Sequence, residues 1–530
     1  MSATPSRTRW GVVLAIGCLF VGYSFWTASI PGSNEPHYLC KAKFWWQPEW
    51  CAHDLFLESS NPHFVFYVVL GGMTKWLPLA AVAIIGRLSG YFALAAGWEW
   101  LCRSLKLTNR ASVLAAILLV AFAALGNLSG EWLIGGIESK IYAYAGVFAG
   151  LGAWFERRAI AAGCWFGVAI AFHPLVGAWS VVALSVAGGV DLTWRFARQQ
   201  YTSPADRVEG LPQRSWPVGT LTTALILGSM IAATGLVPAI QSISGEDSRA
   251  ATNATFIQVF YRLSHHLHPD QFPLISYAAY GLLLTVGIAL SKKRIPTLGL
   301  KTFRWFVVGA VLIATCGWVA GSGLKPTHFE EPFFNLRMTV LKFYPFRLAD
   351  AVVPAFTAIM LAQELSERTT WQPHSWLVRR GTLSTVTLLV LAFWISRGVR
   401  AARYIPDEWS ADWLEVCEWV HNHTPEQALF VTPRESWAFK WFAERPEYVA
   451  FKDCPQDARS LNEWNQRLLW LNKWAERGFV DTTYSREEVR TLARQTHASF
   501  FITRRDARME APLVFSNETY LVYDLRDWTP

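Results

Sequence analysis

Charge is scarce in this sequence. Asp, Glu, Lys and Arg make up 17% of its 530 residues, where a soluble chain of ordinary composition would carry about a quarter. That scarcity excludes an ordinary soluble enzyme. The C-terminal part has no P-loop, GxGxxG or GxSxG stretch, so the usual sequence signs of nucleotide binding or serine hydrolysis are missing. No long-period repeat is present either, which argues against a solenoid. What the chain does have is apolar and aromatic side chains, at 52% and 15%, with 28 Trp. Trp is enriched where helices meet the membrane interface, and the composition is that of a polytopic membrane protein. The net charge of +8 is uneven: residues 1–399 carry 31 Lys/Arg against 19 Asp/Glu, and residues 400–530 carry 17 against 21. The basic part is the membrane part, so the excess reads as loop orientation and not as nucleic-acid binding.

A bilayer core of about 30 Å needs roughly 20 apolar residues in helix. Charge-free runs of that kind lie at 10–34, 111–130, 159–190, 215–245, 271–291 and 305–324. Shorter or interrupted candidates lie at 76–100, 141–155, 345–363 and 381–399. His173-Pro174 falls near the middle of 159–190 and divides it into two short helices, because Pro removes a helical donor. The reading is therefore about eleven spans. "HFVFYVVLGGMTKWLP" (63–78) is too short to cross and reads as an interfacial helix. The first run has no clear small-x-small cleavage site and reads as a retained anchor. With the N-terminus cytoplasmic, the inner segments hold 19 Lys/Arg and the outer loops nine, as the positive-inside rule requires. An odd number of spans then puts residues 400–530 on the extracytoplasmic side. Four cysteines outside the spans, Cys40, Cys51, Cys417 and Cys454, fall on that oxidising side, and a Cys40–Cys51 disulfide is expected to close the first loop.

Beyond Asp407 the pattern changes to that of a small α/β domain. "DEWSADWLEVCEWVHNHTP" reads as an amphipathic helix. "ALFVTP" and "EYVAF" read as short strands, 461–479 as a helix, "REEVRTLARQ" then "ASFFITR" as helix then strand, and "PLVFSNETYLVYDL" as a hairpin turning at Asn-Glu. The domains are thus 1–399 and 400–530. Cys417, His421 and His423 lack a fourth ligand nearby and read as solvated helix-end groups.

The chemistry concentrates in the outer loops. "NEPHYLCKAKFWWQPEWCAHD" brings Glu35, His37, His53 and Asp54; "GEWLIGGIESKIYAY" brings Glu131, Glu138 and Lys140; "FYPFRLAD" brings Arg347 at the mouth of a late span. A carboxylate near apolar walls can be tuned as a proton acceptor, and an Arg fork suits a phosphate. Each has a plainer reading: solvated loop acids, a helix-capping Glu138 and Lys140, a snorkelling Arg347. "HHLHP" (265–269), with His265 and His266, has no carboxylate at metal-ligand spacing and is placed with the substrate-binding groups.

An acidic first outer loop, a broken helix pair, a late Arg and a C-terminal outer α/β domain resemble the GT-C superfamily of integral-membrane glycosyltransferases. "NEPHYLCKAKFWW", "GEWLIGGIESKIYAYAGVFAG" and "AFHPLVGAWSVV" are similar to a bacterial family of GT-C-like membrane proteins, which names no substrate. The resemblance implies an inverting enzyme of the bacterial inner membrane. It would take a sugar from a polyprenyl-phosphate donor and pass it to a glycan, lipid or protein acceptor. It implies Glu35 as general base, with Asp54 and then Glu138 as alternatives. It further implies Glu131 or Glu138 as a second acidic position and Arg347 on the carrier phosphate. The family often has two adjacent acids in the first loop. Here Asn34 precedes Glu35, so no obligatory metal is expected, although a divalent cation remains possible. Two other functions fit parts of the pattern: a non-catalytic envelope scaffold with an outer binding domain, and a transporter of lipid-linked glycans. The transporter would need mid-membrane ionisable groups, and Arg87 is essentially alone there.

Overall fold

The computed structural model describes residues 8–201, 216–242, 247–295, 297–370, 411–434, 436, 438–478 and 483–528. Helix α1 (Trp10–Thr27) leads into a long first loop carrying α2 (Glu35–Trp46), α3 (Leu55–Glu58) and α4 (Phe64–Gly71). Then come α5 (Leu79–Ser104), α6 (Asn109–Leu125), α7 (Ser139–Phe155), α8 (Ala159–Phe172), α9 (Pro174–Tyr201) and α10 (Val218–Gln241). A second long loop holds α11 (Ser248–Phe256) and α12 (Ser264–Leu267), with a π-helical stretch at Ile257–Arg262 between them. Helices α13 (Leu274–Lys292), α14 (Leu298–Gly321), α15 (Phe334–Lys342) and α16 (Arg347–Thr370) follow.

Ten of the expected span positions are helical. Six of these helices are long and apolar enough to cross a membrane, and several more are apolar but shorter. The expected span at 381–399 and the 399/400 domain boundary lie outside the described residues. The break at His173-Pro174 is present: α8 ends at Phe172, His173 is extended, and α9 starts on the proline. "HFVFYVVLGG" is a short helix, as its length requires. Helices α8 and α10 pack backbone against backbone at Gly163, Gly167 and Gly228, where a Cβ would meet carbonyl oxygens of the facing helix. Small residues at the contact are the usual device for close approach in lipid, where no hydrophobic effect drives helices together.

The C-terminal region contains α17 (Ala411–His423), β1 (Phe430–Val431), α18 (Phe439–Phe442), α19 (Ala458–Gly478), β2 (Thr483–Tyr484) and α20 (Arg486–Thr496). It ends with β3 (Phe500–Arg504), β4 (Arg508–Met509), β5 (Leu513–Ser516) and β6 (Tyr520–Asp524). The main sheet runs β1-β3-β6-β5, with β1 and β3 parallel and the other pairs antiparallel. Alternation along β3 separates two cores. Phe500 and Ile502 pack with Trp413 and Phe439 on one face, while Phe501 packs with Trp464 and Trp474 on the other. Ser485 and Glu488 form a reciprocal capping box that starts α20.

Two expectations fail. "EYVAF" makes one isolated bridge, Phe430 with Glu447, and no strand. The bridge is made by the Pro446 carbonyl and the Tyr448 amide, and the Glu447 amide, on the side away from β1, donates to Asp54 of the first loop. The Cys40–Cys51 disulfide is not formed: both are buried free thiols. Burial pushes both thiols well up. The loop is closed by polar contacts instead. Lys41, buried, donates to the Phe56 carbonyl at 2.5 Å and to the Ser59 carbonyl and hydroxyl at 3.1 and 2.8 Å. Lys43 pairs with Glu444 at 3.2 Å, and the Ser60 amide donates to Asp457 at 3.1 Å.

Candidate functional site

Glu35, the expected base, opens α2 and is fully buried. Its carboxylate takes a two-pronged bond from Arg87 of α5, Nε to Oε1 at 2.6 Å and Nη2 to Oε2 at 2.8 Å. It also accepts from the amides of Gly32 at 2.5 Å and Ile137 at 2.7 Å. Arg87, the lone mid-span charge of the sequence, thus has its counterion in the first loop. Glu35 does not line the cavity described below. Its work is to fix the 130–138 segment, together with Tyr91, whose hydroxyl bonds both the amide and the carbonyl of Gly135 at 2.7 Å.

Asp54 is not in the cavity either. It caps α3 by accepting from the Leu57 amide at 3.0 Å, accepts from the Glu447 amide at 3.0 Å, and lies 3.2 Å from Lys440 Nζ. Lys440 is buried and also meets Glu447 at 2.6 Å and Asp453 at 2.7 Å. Burial would lower the Lys440 ammonium, but Asp453, Asp54 and Glu447 outweigh it and hold it well above its usual value. This cluster joins the first loop to the C-terminal region.

The remaining expected residues come together. Glu131, Glu138, Lys140, His265, His266 and Arg347 all line one cavity of about 370 Å³. Lys140 Nζ stands 3.1 Å from both Glu131 and Glu138 and 3.9 Å from the centre of the Trp132 ring. Arg347, at the first turn of α16, reaches Glu131 at 3.2 Å and His173 at 2.9 Å, over the face of Tyr344. Asn34 donates to Glu138 at 2.5 Å. Burial pushes the Glu131 carboxyl up, but Arg347 and Lys140 outweigh that and hold it below the usual range. His266 is pushed down to about 3 and His265 to about 4, by burial first, so both are neutral at physiological pH. His266 Nδ1 bonds the Ser129 carbonyl.

Asp350 explains why Glu131 sits beside Arg347. One turn after Arg347, it accepts from the Leu128 and Ser129 amides at 2.8 and 2.9 Å and from the Ser129 hydroxyl at 2.7 Å. The loop carrying Glu131 is therefore clamped to the helix carrying Arg347. Sequence reasoning gave no role to Asp350, His63 or His173. His63 bonds the hydroxyls of Ser139 at 3.2 Å and Tyr38 at 3.4 Å. Each His adjoins a helix start and lies within one or two residues of a Pro, a signal that could have found both.

The cavity has five cationic side chains (Lys140, Arg262, Lys342, Arg347 and Lys452) against two carboxylates. One wall is apolar, formed by Leu236, Ala239 and Ile240 of α10. Such a space can hold an anion with an apolar tail. A larger open groove of about 1530 Å³ between α3, α11, α15 and α19 contains none of the expected residues. Among the described residues, no group of three or more His, Cys, Asp and Glu is placed to hold a metal ion.

Comparison with known proteins adds three findings. A family described as "Domain of unknown function (DUF6798)" matches residues 411–471. No curated protein matches the chain in sequence. Among solved structures, the chain is similar to the crystal structure of ArnT from Cupriavidus metallidurans bound to undecaprenyl phosphate, at 14% identity over 98% of each chain with a TM-score of 0.37.

Proposed function

We propose that the protein is a membrane glycosyltransferase of GT-C type that takes a sugar from a polyprenyl-phosphate donor at the extracytoplasmic face. The N-terminus is cytoplasmic and residues 400–530 form an extracytoplasmic domain. The observation that carries this reading is the cavity itself: an excess of cationic groups around Arg347, open beside an apolar helix wall. A phosphate on a prenyl chain has that chemistry. As the sugar's anomeric carbon is attacked, negative charge collects on the departing phosphate. Arg347 and Lys140 are already oriented by Glu131 and Glu138, so they stabilise that charge without reorganising. Two cations at the leaving group also supply what a divalent ion would, and chelation is expected to leave transfer intact. The carboxylates Glu131 and Glu138 serve here as orienting groups, and Glu35 and Asp54 as structural ones.

The test is binding of undecaprenyl phosphate to the full chain in nanodiscs. Arg347→Ala should weaken it by about 10-fold or more, and Arg347→Lys should restore only part, because a point charge does not reproduce the planar fork. Equal binding by wild type and Arg347→Ala would refute the reading. The scaffold reading keeps one observation in its favour, the full burial of Glu35. It predicts no saturable binding at all.

A further inference from the structure

His37 lies on α2, two residues after Glu35, and its surroundings are different. Its side chain is 16% exposed and lines the same cavity as Arg347 and Glu138. Ring atom Nδ1 is 3.2 Å from Oδ1 of Asp453, which comes from the C-terminal region. Asp453 is buried, and its other oxygen is held at 2.7 Å by Lys440, which is pinned in turn by Glu447 and Asp54. The imidazole packs on Phe56 with centroids 4.3 Å apart. A carboxylate cannot donate when ionised, so the Asp453 contact puts the ring proton on Nδ1 and leaves the Nε2 lone pair unprotonated. Among the described residues, the ring's hydrogen bond to Asp453 is the one it makes.

Most other basic groups of the cavity are engaged. Glu131 meets Arg347 and Lys140, Glu138 meets Lys140 and Asn34, His173 Nε2 meets Arg347, and both nitrogens of His63 meet hydroxyls. His266 is held at Nδ1 by the Ser129 carbonyl and His265 packs on His266. What sets His37 apart from those two is the buried carboxylate behind its ring. His37 is oriented from behind and open in front, as a general base must be.

We propose that His37 is the catalytic base of the transfer and that Asp453 is its positioning residue. The inference rests on the glycosyltransferase reading. In the step, the acceptor's hydroxyl oxygen forms a bond to the anomeric carbon. The bond from that carbon to the phosphate oxygen breaks, and its electron pair leaves with the polyprenyl phosphate. The hydroxyl proton passes to Nε2 of His37, and Asp453 steadies the imidazolium. The C-terminal region then completes the active site, and a protein cut before it would lack the positioning group.

Burial lowers the His37 imidazole, and Asp453 partly opposes that; Lys452 and Lys41, also facing it, lower it further. The ring is therefore neutral and able to accept a proton near pH 7. Removing the Asp453 charge should lower it again.

The experiment uses the full chain in membrane vesicles, with undecaprenyl-phosphate-linked glucose as donor and release of undecaprenyl phosphate as readout. Undecaprenyl phosphate binding and thermal unfolding are measured in parallel. His37→Asn and His37→Gln should bind undecaprenyl phosphate as wild type does and release it about 10²–10⁴-fold more slowly. Asp453→Asn should slow release less and move the acid limb of the pH–rate profile to lower pH. A purely structural Asp453 would lower the rate at every pH without moving the limb. Wild-type release by both His37 variants, with binding intact, would overturn this inference and leave the glycosyltransferase reading standing. A wild type that neither binds nor releases the probe would overturn both. As a readout free of turnover, diethyl pyrocarbonate should modify His37 at Nε2 in the native protein, and an inert His37 would count against an open lone pair.

Discussion

Glu35 and Asp54 in the first loop, and Glu131 and Glu138 between α6 and α7, are four buried acids, each with a basic partner. They differ in how fully those partners use them. Both oxygens of Glu35 are taken by Arg87 and two amides, and Asp54 holds a helix cap, a second amide and Lys440. Neither touches the main cavity. Glu131 and Glu138 share one lysine, and that lysine and Arg347 face open space. An acid whose partners close around it is part of the frame. An acid whose partner still faces a cavity can act on a ligand through that partner. Distance to a cation does not separate the two cases, whereas what lies on the far side of the cation does.

The comparison breaks most visibly at Lys440. Lys440→Met would leave Asp54, Glu447 and Asp453 buried without their shared cation. Removing one member of a buried ionic set costs about 3–5 kcal/mol, and here three carboxylates lose the same partner. The C-terminal region should come off the first loop, which limited proteolysis would detect as new cleavage in residues 28–62. A gentler version uses pH. The Asp453 carboxyl is held down at about 2, against 3.8 ordinarily; burial would raise it, but Lys440 and then His37 prevail. A depressed carboxylate stabilises the fold above its unfolded value. That contribution should be present at pH 5 and vanish as pH falls from about 4 towards 2.

Glu35→Gln comes next. Arg87 would keep its charge in a fully buried site without a counterion, at a cost of about 3–5 kcal/mol. Pairing Glu35→Leu with Arg87→Met should recover much of that, because two apolar side chains need no partner. Thermal unfolding of the two single variants and the double variant, in one detergent, gives the coupling directly. Near-additive losses would mean that the two side chains do not support each other. Gly136→Ala tests the same junction from the other side. An added Cβ would stand 3.0 Å from Glu35 Cγ and 3.2 Å from its Oε1. Overpacking of this kind costs about 1–3 kcal/mol.

Much of the fold was legible. Apolar runs located ten helices, the proline marked the α8–α9 break, and alternation and turn residues found the β5–β6 hairpin. Those features depend on neighbours along the chain. Of the site residues expected from the sequence, Glu131, Glu138, Lys140, His265, His266 and Arg347 line one cavity, and Glu35 and Asp54 do not. What sequence could not supply was long-range pairing. Glu35 and Arg87 are 52 positions apart, His37 and Asp453 are 416, and no spacing rule links them. The first loop therefore read as one acidic cluster. In the folded chain its ionisable groups face three ways: Glu35 into the helix bundle, Asp54 into the C-terminal region, and His37 between them into the cavity. The strand expected at 447–451 is reduced to a single bridge, and on its far side the Glu447 amide meets Asp54, a partner 393 positions away.

The smallest expected effect is the sharpest test of the division between frame and cavity. Glu138 is as buried as a frame residue, at 3% exposure, and a reading from burial alone would give it the cost of Glu35. Its contacts say otherwise. In Glu138→Gln, the amide oxygen can still accept from Asn34, and Lys140 keeps Glu131 at 3.1 Å. The loss is then near that of one hydrogen bond, about 1 kcal/mol. Binding should move the other way. Removing a negative charge beside Lys140 strengthens the field on a phosphate in the cavity by about 1 kcal/mol at surface-like screening, a several-fold gain in undecaprenyl phosphate affinity. Glu35→Gln, measured alongside, should lose stability and gain no affinity, since no cation of the cavity is released. If Glu138→Gln destabilises as much as Glu35→Gln and binds no better, Glu138 belongs to the frame, and the phosphate-facing cations are set by Glu131 alone.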